Sequence, residues 1–319
     1  MEQTLALKKE AYFQVAEGVW GLKDIFVNVY MIQNQHDNQW VLVDAGLKTS
    51  VSKIKKMARK LFGEDSRPTA IVLTHGHFDH VGALKELAEF WDVPVYAHKM
   101  EMPYLTGKSA YPPADPTVGG GMMAWMADLY PNKPLNLKDR VQEIPQTGKI
   151  PGLSGWKCIH TPGHAPGHVS LWRQNDKVLI AGDALVTTKQ ESAIAVMFQT
   201  ECLTGPPTYF TYDWQAAEQS VQKLAELKPE IVATGHGRPM SGEAMQQKLE
   251  ELSTHFKELA VPNQGRYIHR PAIVNGSGVV SVPAKEKTSS GVLPMRLAGV
   301  AGVVALGILL YAQRKRLWA

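Results

Sequence analysis

The chain has 319 residues, 44% of them apolar and 20% charged, the balance of an ordinary globular protein with room for one large domain or two small ones. Its formal charge of +4 is unevenly placed: from residue 262 onward Arg266, Arg270, Lys285, Lys287, Arg296, Arg314, Lys315 and Arg316 face Glu286 alone, a balance of +7 that leaves the body near −3. A mildly acidic body excludes nucleic acid as a partner, and two cysteines, Cys158 and Cys202, exclude a disulfide scaffold and suit a reducing compartment.

The opening residues, MEQTLALKKEAYFQVAEG, lack the charged-then-apolar pattern of a signal peptide. Strands are expected at FVNVYMI and WVLVDAG, followed by a helix that spaces Val51, Ile54, Met57, Ala58 and Leu61 along one face. AIVLTHG and VPVYAH read as strands flanking a helix near Ala83 to Phe90. Residues 104–137 are rich in Pro, Gly, Met and aromatics without a clear period; disordered segments lack such aromatics, so an ordered functional stretch is expected. A second series follows: GWKCIHTPGH, HVSLWRQNDKVLIAGD with a turn at Gln174 to Asp176, a helix near Asp213 to Leu227, and EIVATGHG. A helix over Gly242 to Ala260 places Met245, Leu249, Leu252, Phe256 and Leu259 together. Two strand-and-helix halves predict an α/β fold of two packed sheets with helices outside, an αββα sandwich. The catalytic body is thus expected over 1–261, with a Gly, Ser, Pro and Lys-rich linker over 262–292.

The chemistry concentrates in IVLTHGHFDHVG, residues 71–82. Neutral imidazole and ionised carboxylate are ligands for borderline divalent metals, and crowding them has little value to a packed core. His75, His77, Asp79 and His80 follow one strand end, His164 follows another, Asp183 closes VLIAGD, and His236 follows EIVATG. Every one sits where an apolar strand gives way to a loop, so several strands could deliver them to one edge of the sandwich. Asp44, His160 and His168 are expected to hold ligating imidazoles or to brace loops.

The pattern H-x-H-x-D-H, with His164, Asp183 and His236 after it and Asp44 closing the second strand, resembles the ligand set of the metallo-β-lactamase fold family over about Tyr12 to Val261. The resemblance implies two metal sites, His75, His77 and His164 at the first and Asp79, His80 and His236 at the second, with Asp183 bridging. It implies a metal-bridging hydroxide as nucleophile, with Asp79 and Asp183 as the catalytic carboxylates, and two divalent ions, zinc first and iron or manganese acceptable to the same ligands. Asp183 stands where the true β-lactamases carry cysteine or serine, which disfavours antibiotic hydrolysis. HTPGHAPGHVSL looks most like glyoxalase II and the acyl-homoserine lactonases. The chain nevertheless lacks the glutathione-binding helical domain of the former, the tyrosine that the latter carry three positions after the bridging aspartate, and a second glycine at Ala83. The expected activity is cleavage of an ester, thioester or lactone acyl bond in a small, partly apolar substrate. The alternatives are a mononuclear iron persulfide dioxygenase-like enzyme, distinguishable by one iron per chain, and a non-catalytic tethered scaffold. Residues 104–137, including Trp125 and Met126, together with Phe198, Tyr209, Phe210 and Tyr212, are expected to wall the metals.

The tail ends in LAGVAGVVALGILLYA, residues 297–312. At about 1.5 Å per residue these 16 residues fall short of a bilayer core of roughly 30 Å, but Leu293 and Met295 extend the run if Arg296 snorkels. A C-terminal apolar helix acting as a single-pass membrane anchor over 293–319, with the catalytic body in the cytoplasm, is the expectation.

Overall fold

The computed structural model describes residues 12–285 apart from 35, 36 and 38. The first sheet runs in sequence order through β1 (Tyr12–Ala16), β2 (Val19–Asp24), β3 (Val27–Gln33), β4 (Trp40–Val43), β5 (Ala70–Val72), β6 (Val95–Ala97) and β7 (Val141–Glu143). Its first four strands are antiparallel and the last three join in parallel. The second sheet comprises β8 (Lys149–Ile150), β9 (Leu153–His160), β10 (Val169–Arg173), β11 (Val178–Ile180), β12 (Ile231–Ala233) and β13 (Met240–Ser241), again as sequence neighbours, with only β11 and β12 parallel.

Alternation along the strands builds the layers, because successive side chains point to opposite faces. Tyr30, Ile32, Val41 and Val43 face Val169, Leu171, Val178 and Ile180 in a core between the sheets. Their neighbours Val29, Met31, Trp40 and Leu42 face outward onto helices α1 (Val51–Phe62) and α3 (Leu84–Trp91), which bury Ile54, Met57, Leu84 and Leu87 there. Each fully buried Val or Leu in these layers contributes about 1.5–3 kcal/mol. On the far side, Leu179 and Val232 pack against α7 (Trp214–Glu226) and α8 (Glu243–Thr254). This is the expected αββα sandwich.

The helix expected over 242–260 divides into α8 and α9 (Phe256–Ala260), because His255 leaves the helical region at φ −115°. Short helices account for the aperiodic stretch: α4 (Met102–Leu105) and α5 (Met122–Trp125) lie there, separated by turns, while α2 (Phe78–Val81) and α6 (Ala193–Phe198) precede and follow. Beyond Val261, where a linker is expected, Tyr267 and Ala272 are buried against the helices of the second sheet, and β14 (Ile273–Asn275) and β15 (Gly278–Ser281) form a hairpin.

The expected single-pass anchor, and the membrane localisation built on it, is corrected: among the described residues no helix is long and apolar enough to cross a membrane. The longest, α7, has 13 residues and at about 1.5 Å each spans roughly 20 Å. Its apolar residues face one side, where Ala217, Val221 and Leu224 are buried in the body. Segment 293–319, on which the expected apolar helix rests, lies outside the described residues.

Candidate metal centre

The C-terminal ends of β4, β5, β11 and β12 open onto one edge of the sandwich, and each hands over a polar residue as the apolar run ends. Asp44 follows β4, Thr74 to His77 follow β5, Asp183 follows β11 and His236 follows β12. Helix α2 begins at once after His77 and turns Asp79 and His80 inward. His164 arrives from the β9–β10 loop. All seven expected ligands are buried, none more than 6% exposed, and their donor atoms form three groups that could hold a metal ion: His75, His77 and His164; His75, His80 and Asp183; Asp79, His80 and His236.

His77 Nδ1 lies 3.0 Å from His75 Nε2 and 3.0 Å from His164 Nε2. Asp183 Oδ2 lies 3.0 Å from His236 Nε2 and 3.5 Å from the Nε2 atoms of His80 and His164. Asp79 Oδ2 is 3.5 Å from His236 Nε2 and 4.0 Å from His80 Nε2. Gly235 allows this crowding, since a Cβ there would collide with Asp183 Oδ1.

The rings are held from behind. His236 Nδ1 donates to the Phe26 carbonyl at 2.7 Å. His80 Nδ1 donates to Asp44 Oδ2 at 2.8 Å, and the same oxygen accepts the Thr74 hydroxyl, which itself lies 3.1 Å from His75 Nδ1. Asp44 therefore orients His80 directly and His75 through Thr74, leaving both Nε2 lone pairs aimed inward. His168 Nε2 accepts the Asp183 backbone N–H at 2.8 Å, so it holds the backbone under Asp183. His160 bonds the Pro166 carbonyl and stacks on His98, away from the seven expected ligands, bracing the loop that carries His164. Thr74 and the Phe26 carbonyl escape a reading by residue type, because a threonine and a backbone oxygen carry no signal at that level.

Burial, reinforced by the neighbouring imidazoles, holds His75 and His164 well below the usual histidine range and lowers His77 to about 3. His80 and His236 also lose charge stabilisation through burial, but the carboxylates of Asp183 and Asp79 outweigh it and raise both. Asp183, which burial alone would raise, is held well below the carboxylate range by His236 and His80. Burial raises Asp79.

The donor set fits divalent cations. His77 Nδ1 lies 3.0 Å from two other ring nitrogens and can share a proton with only one of them, and His80 Nε2 and Asp183 Oδ1 are buried without a hydrogen-bond partner.

Residues 22–236 match the metallo-β-lactamase superfamily. The chain belongs to that superfamily. Among its relatives, the probable metallo-hydrolase YflN of Bacillus subtilis is 45% identical over 255 residues, covering 80% of this chain and 97% of that protein. The probable metallo-hydrolase YqgX of the same organism is 32% identical over 162 residues, covering 50% of this chain and 67% of that protein. In fold alone, this superfamily member is similar to a β-lactamase domain protein from Burkholderia ambifaria, with a TM-score of 0.55 at 18% identity, covering 80% of this chain and 76% of the other.

Proposed function

We propose that this metallo-hydrolase of the metallo-β-lactamase superfamily holds two divalent ions and cleaves an ester, thioester or lactone bond in a small, partly apolar substrate. The position of Asp183 supports this reading: its Oδ2 stands between the imidazole group of His75, His77 and His164 and the group of Asp79, His80 and His236, within 3.5 Å of a nitrogen from each. Imidazole and carboxylate suit zinc and accept iron or manganese. Divalent ions held there would lower the pKa of coordinated water and polarise the acyl carbonyl.

The chain's own groups supply the rest. Asp183, kept ionised by its two histidine neighbours, contributes a fixed negative charge at the centre. Asp79, buried 3.5 Å from His236 Nε2 and 4.0 Å from His80 Nε2, would bring the one carboxylate of the second group. A cavity of about 430 Å³ reaches the centre at His77, with Phe78, Val81, Leu135 and Phe210 on its walls, room for an apolar acyl or alkyl group.

The deciding experiment is a hydrolysis screen of lactones, thioesters, aryl esters and phosphoesters with metal content measured on the same preparation. Two ions per chain and turnover of an acyl substrate are expected. One iron per chain with oxygen consumption and no hydrolysis would overturn the proposal.

A further inference from the structure

Glu101 is fully buried in the turn that follows β6, and it belongs to none of the metal-binding groups. Its Oε2 accepts the Gly76 N–H at 2.9 Å, and its Oε1 accepts the Gly167 N–H at 2.7 Å. Gly76 stands between His75 and His77; Gly167 belongs to the β9–β10 loop, three residues after His164. The first loop hangs from one sheet and the second from the other. The Tyr111 hydroxyl donates to the same Oε2 and accepts the Gly76 N–H at 2.9 Å, while its ring packs on His77 with centroids 4.6 Å apart.

Burial pushes Glu101 up to about 7 against the pull of its three donors, and no cation contributes. A buried carboxylate without a counter-charge is costly, and an apolar residue would fill the space at less expense. What an apolar residue cannot supply is two acceptor oxygens pointing opposite ways, one for each of two loops. The fit is close on both sides. A Cβ at Gly76 would stand 2.5 Å from the Tyr111 hydroxyl oxygen, and one at Gly167 would stand 2.7 Å from Glu101 Cγ.

We propose that Glu101 is a positioning residue: it fastens the His75–His77 loop to the His164 loop across the two sheets and thereby sets the spacing of the three-imidazole site. The inference rests on the reading that those imidazoles bind metal. Glutamine at 101 keeps the volume but presents one oxygen and one amino group, so whichever way the amide turns, one loop meets a donor instead of an acceptor. Aspartate keeps both oxygens and draws them back by one methylene.

The test uses full-length protein reconstituted with cobalt(II), whose visible spectrum reports ligand number and geometry at each site. Wild type is expected to take two ions per chain. Glu101→Gln should bind the ion at the three-imidazole site about 10- to 100-fold more weakly, with an altered spectrum there and the second site retained; Glu101→Asp should fall between the two. Thermal melts of the metal-free forms separate positioning from simple support, since a purely structural role would lower the melting temperature and leave both affinities and spectra unchanged. Should Glu101→Gln not fold, Tyr111→Phe removes one donor from Glu101 and one acceptor from Gly76 and should weaken the same site several-fold. Unchanged affinity and spectrum in whichever of these variants folds would overturn the clamp while the metal reading stands. A wild type that takes up no metal would overturn both.

Discussion

His80 Nδ1 stands 2.8 Å from Asp44 Oδ2, and this contact turns the other ring nitrogen of His80 toward Asp183. Asp44 is itself in the left-handed region, at φ +62°, a conformation that asparagine also tolerates. Asp44→Asn therefore changes the hydrogen bonding without adding backbone strain. Its amide must present a donor either to the Thr74 N–H or to His80 Nδ1–H, both now served by carboxylate oxygens. Metal affinity should fall about 10- to 100-fold, measured by competition with a chelating indicator. Wild-type affinity would show that the Asp44 contact does not set the ring.

Replacing Asp183 with alanine removes the oxygen that three histidine nitrogens approach within 3.5 Å. Bound metal and hydrolytic turnover should drop together, with metal measured by elemental analysis of the dialysed protein. Retention of both ions with near-normal hydrolysis would show that Asp183 does not join the two groups.

Acid should destabilise the metal-free protein through His168. Burial, aided by the charge of nearby His80, lowers its pKa to about 3, although Asp183 pulls the other way. Its neutral form is required, since Nε2 accepts the Asp183 N–H while Nδ1 pairs with the Thr161 hydroxyl at 2.8 Å. The unfolded chain takes up this proton near 6.5 and the folded chain only near 3, so the stability is complete above 6.5 and is lost as pH falls from there toward 3. By pH 4.5 the loss from this one group is about 2 to 3 kcal/mol. Urea titrations at pH 7 and pH 4.5 should show a smaller difference in His168→Gln than in wild type; equal differences would place the acid sensitivity elsewhere.

The parts of this molecule legible in its sequence are those whose signal is local. Alternation in FVNVYMI fixes two faces, and the crowding of His75, His77, Asp79 and His80 in one short stretch marks a site by residue type alone. Asp44 and His168 could be picked out because they end or begin apolar runs beside that site. Glu101 could not, since its role depends on two backbone N–H groups at Gly76 and Gly167, 25 and 66 positions away, and a lone glutamate after a strand gives no hint of burial. The hairpin at 273–281 was hidden for another reason. Its Gly, Ser and Pro content reads as a linker, yet the burial of Tyr267 and Ala272 against the second sheet's helices, the packing of Val274 there and of Val279 on Tyr104 and Tyr111, and the bond from the Val279 N–H to the Ser109 hydroxyl tie it to the body. Gly82, where the motif departs from a glycine pair, keeps the one glycine that matters for packing: a Cβ there would run into the backbone at Leu47 and Lys48.

The wall over the centre is narrower than the aromatic content of 104–137 suggests. Phe210 stacks on His77 with centroids 4.6 Å apart and 30° between planes, and it lines the cavity together with Phe78 and Tyr111. Tyr130 stacks on Phe78, and Tyr209 joins Ala114, Ala124 and Ala127 behind. Trp125 and Met126 do not line that cavity, Phe198 is 70% exposed, and Tyr212 belongs to the core under the second sheet. Phe210 and Tyr111 both pack on His77 and line the cavity, but the Tyr111 hydroxyl is committed to Glu101, which leaves Phe210 as the wholly apolar ring placed to meet an apolar substrate group. Removing a buried aromatic contact of this kind costs roughly 1 to 3 kcal/mol of binding, about five- to a hundredfold in affinity. Phe210→Ala should raise KM for long-chain aryl esters by a factor in that range and change KM for the acetate ester much less, whereas Trp125→Ala should affect both little. Steady-state kinetics on the two esters decides it: equal rises in KM for both substrates in Phe210→Ala would show that the ring supports His77 without recognising the substrate.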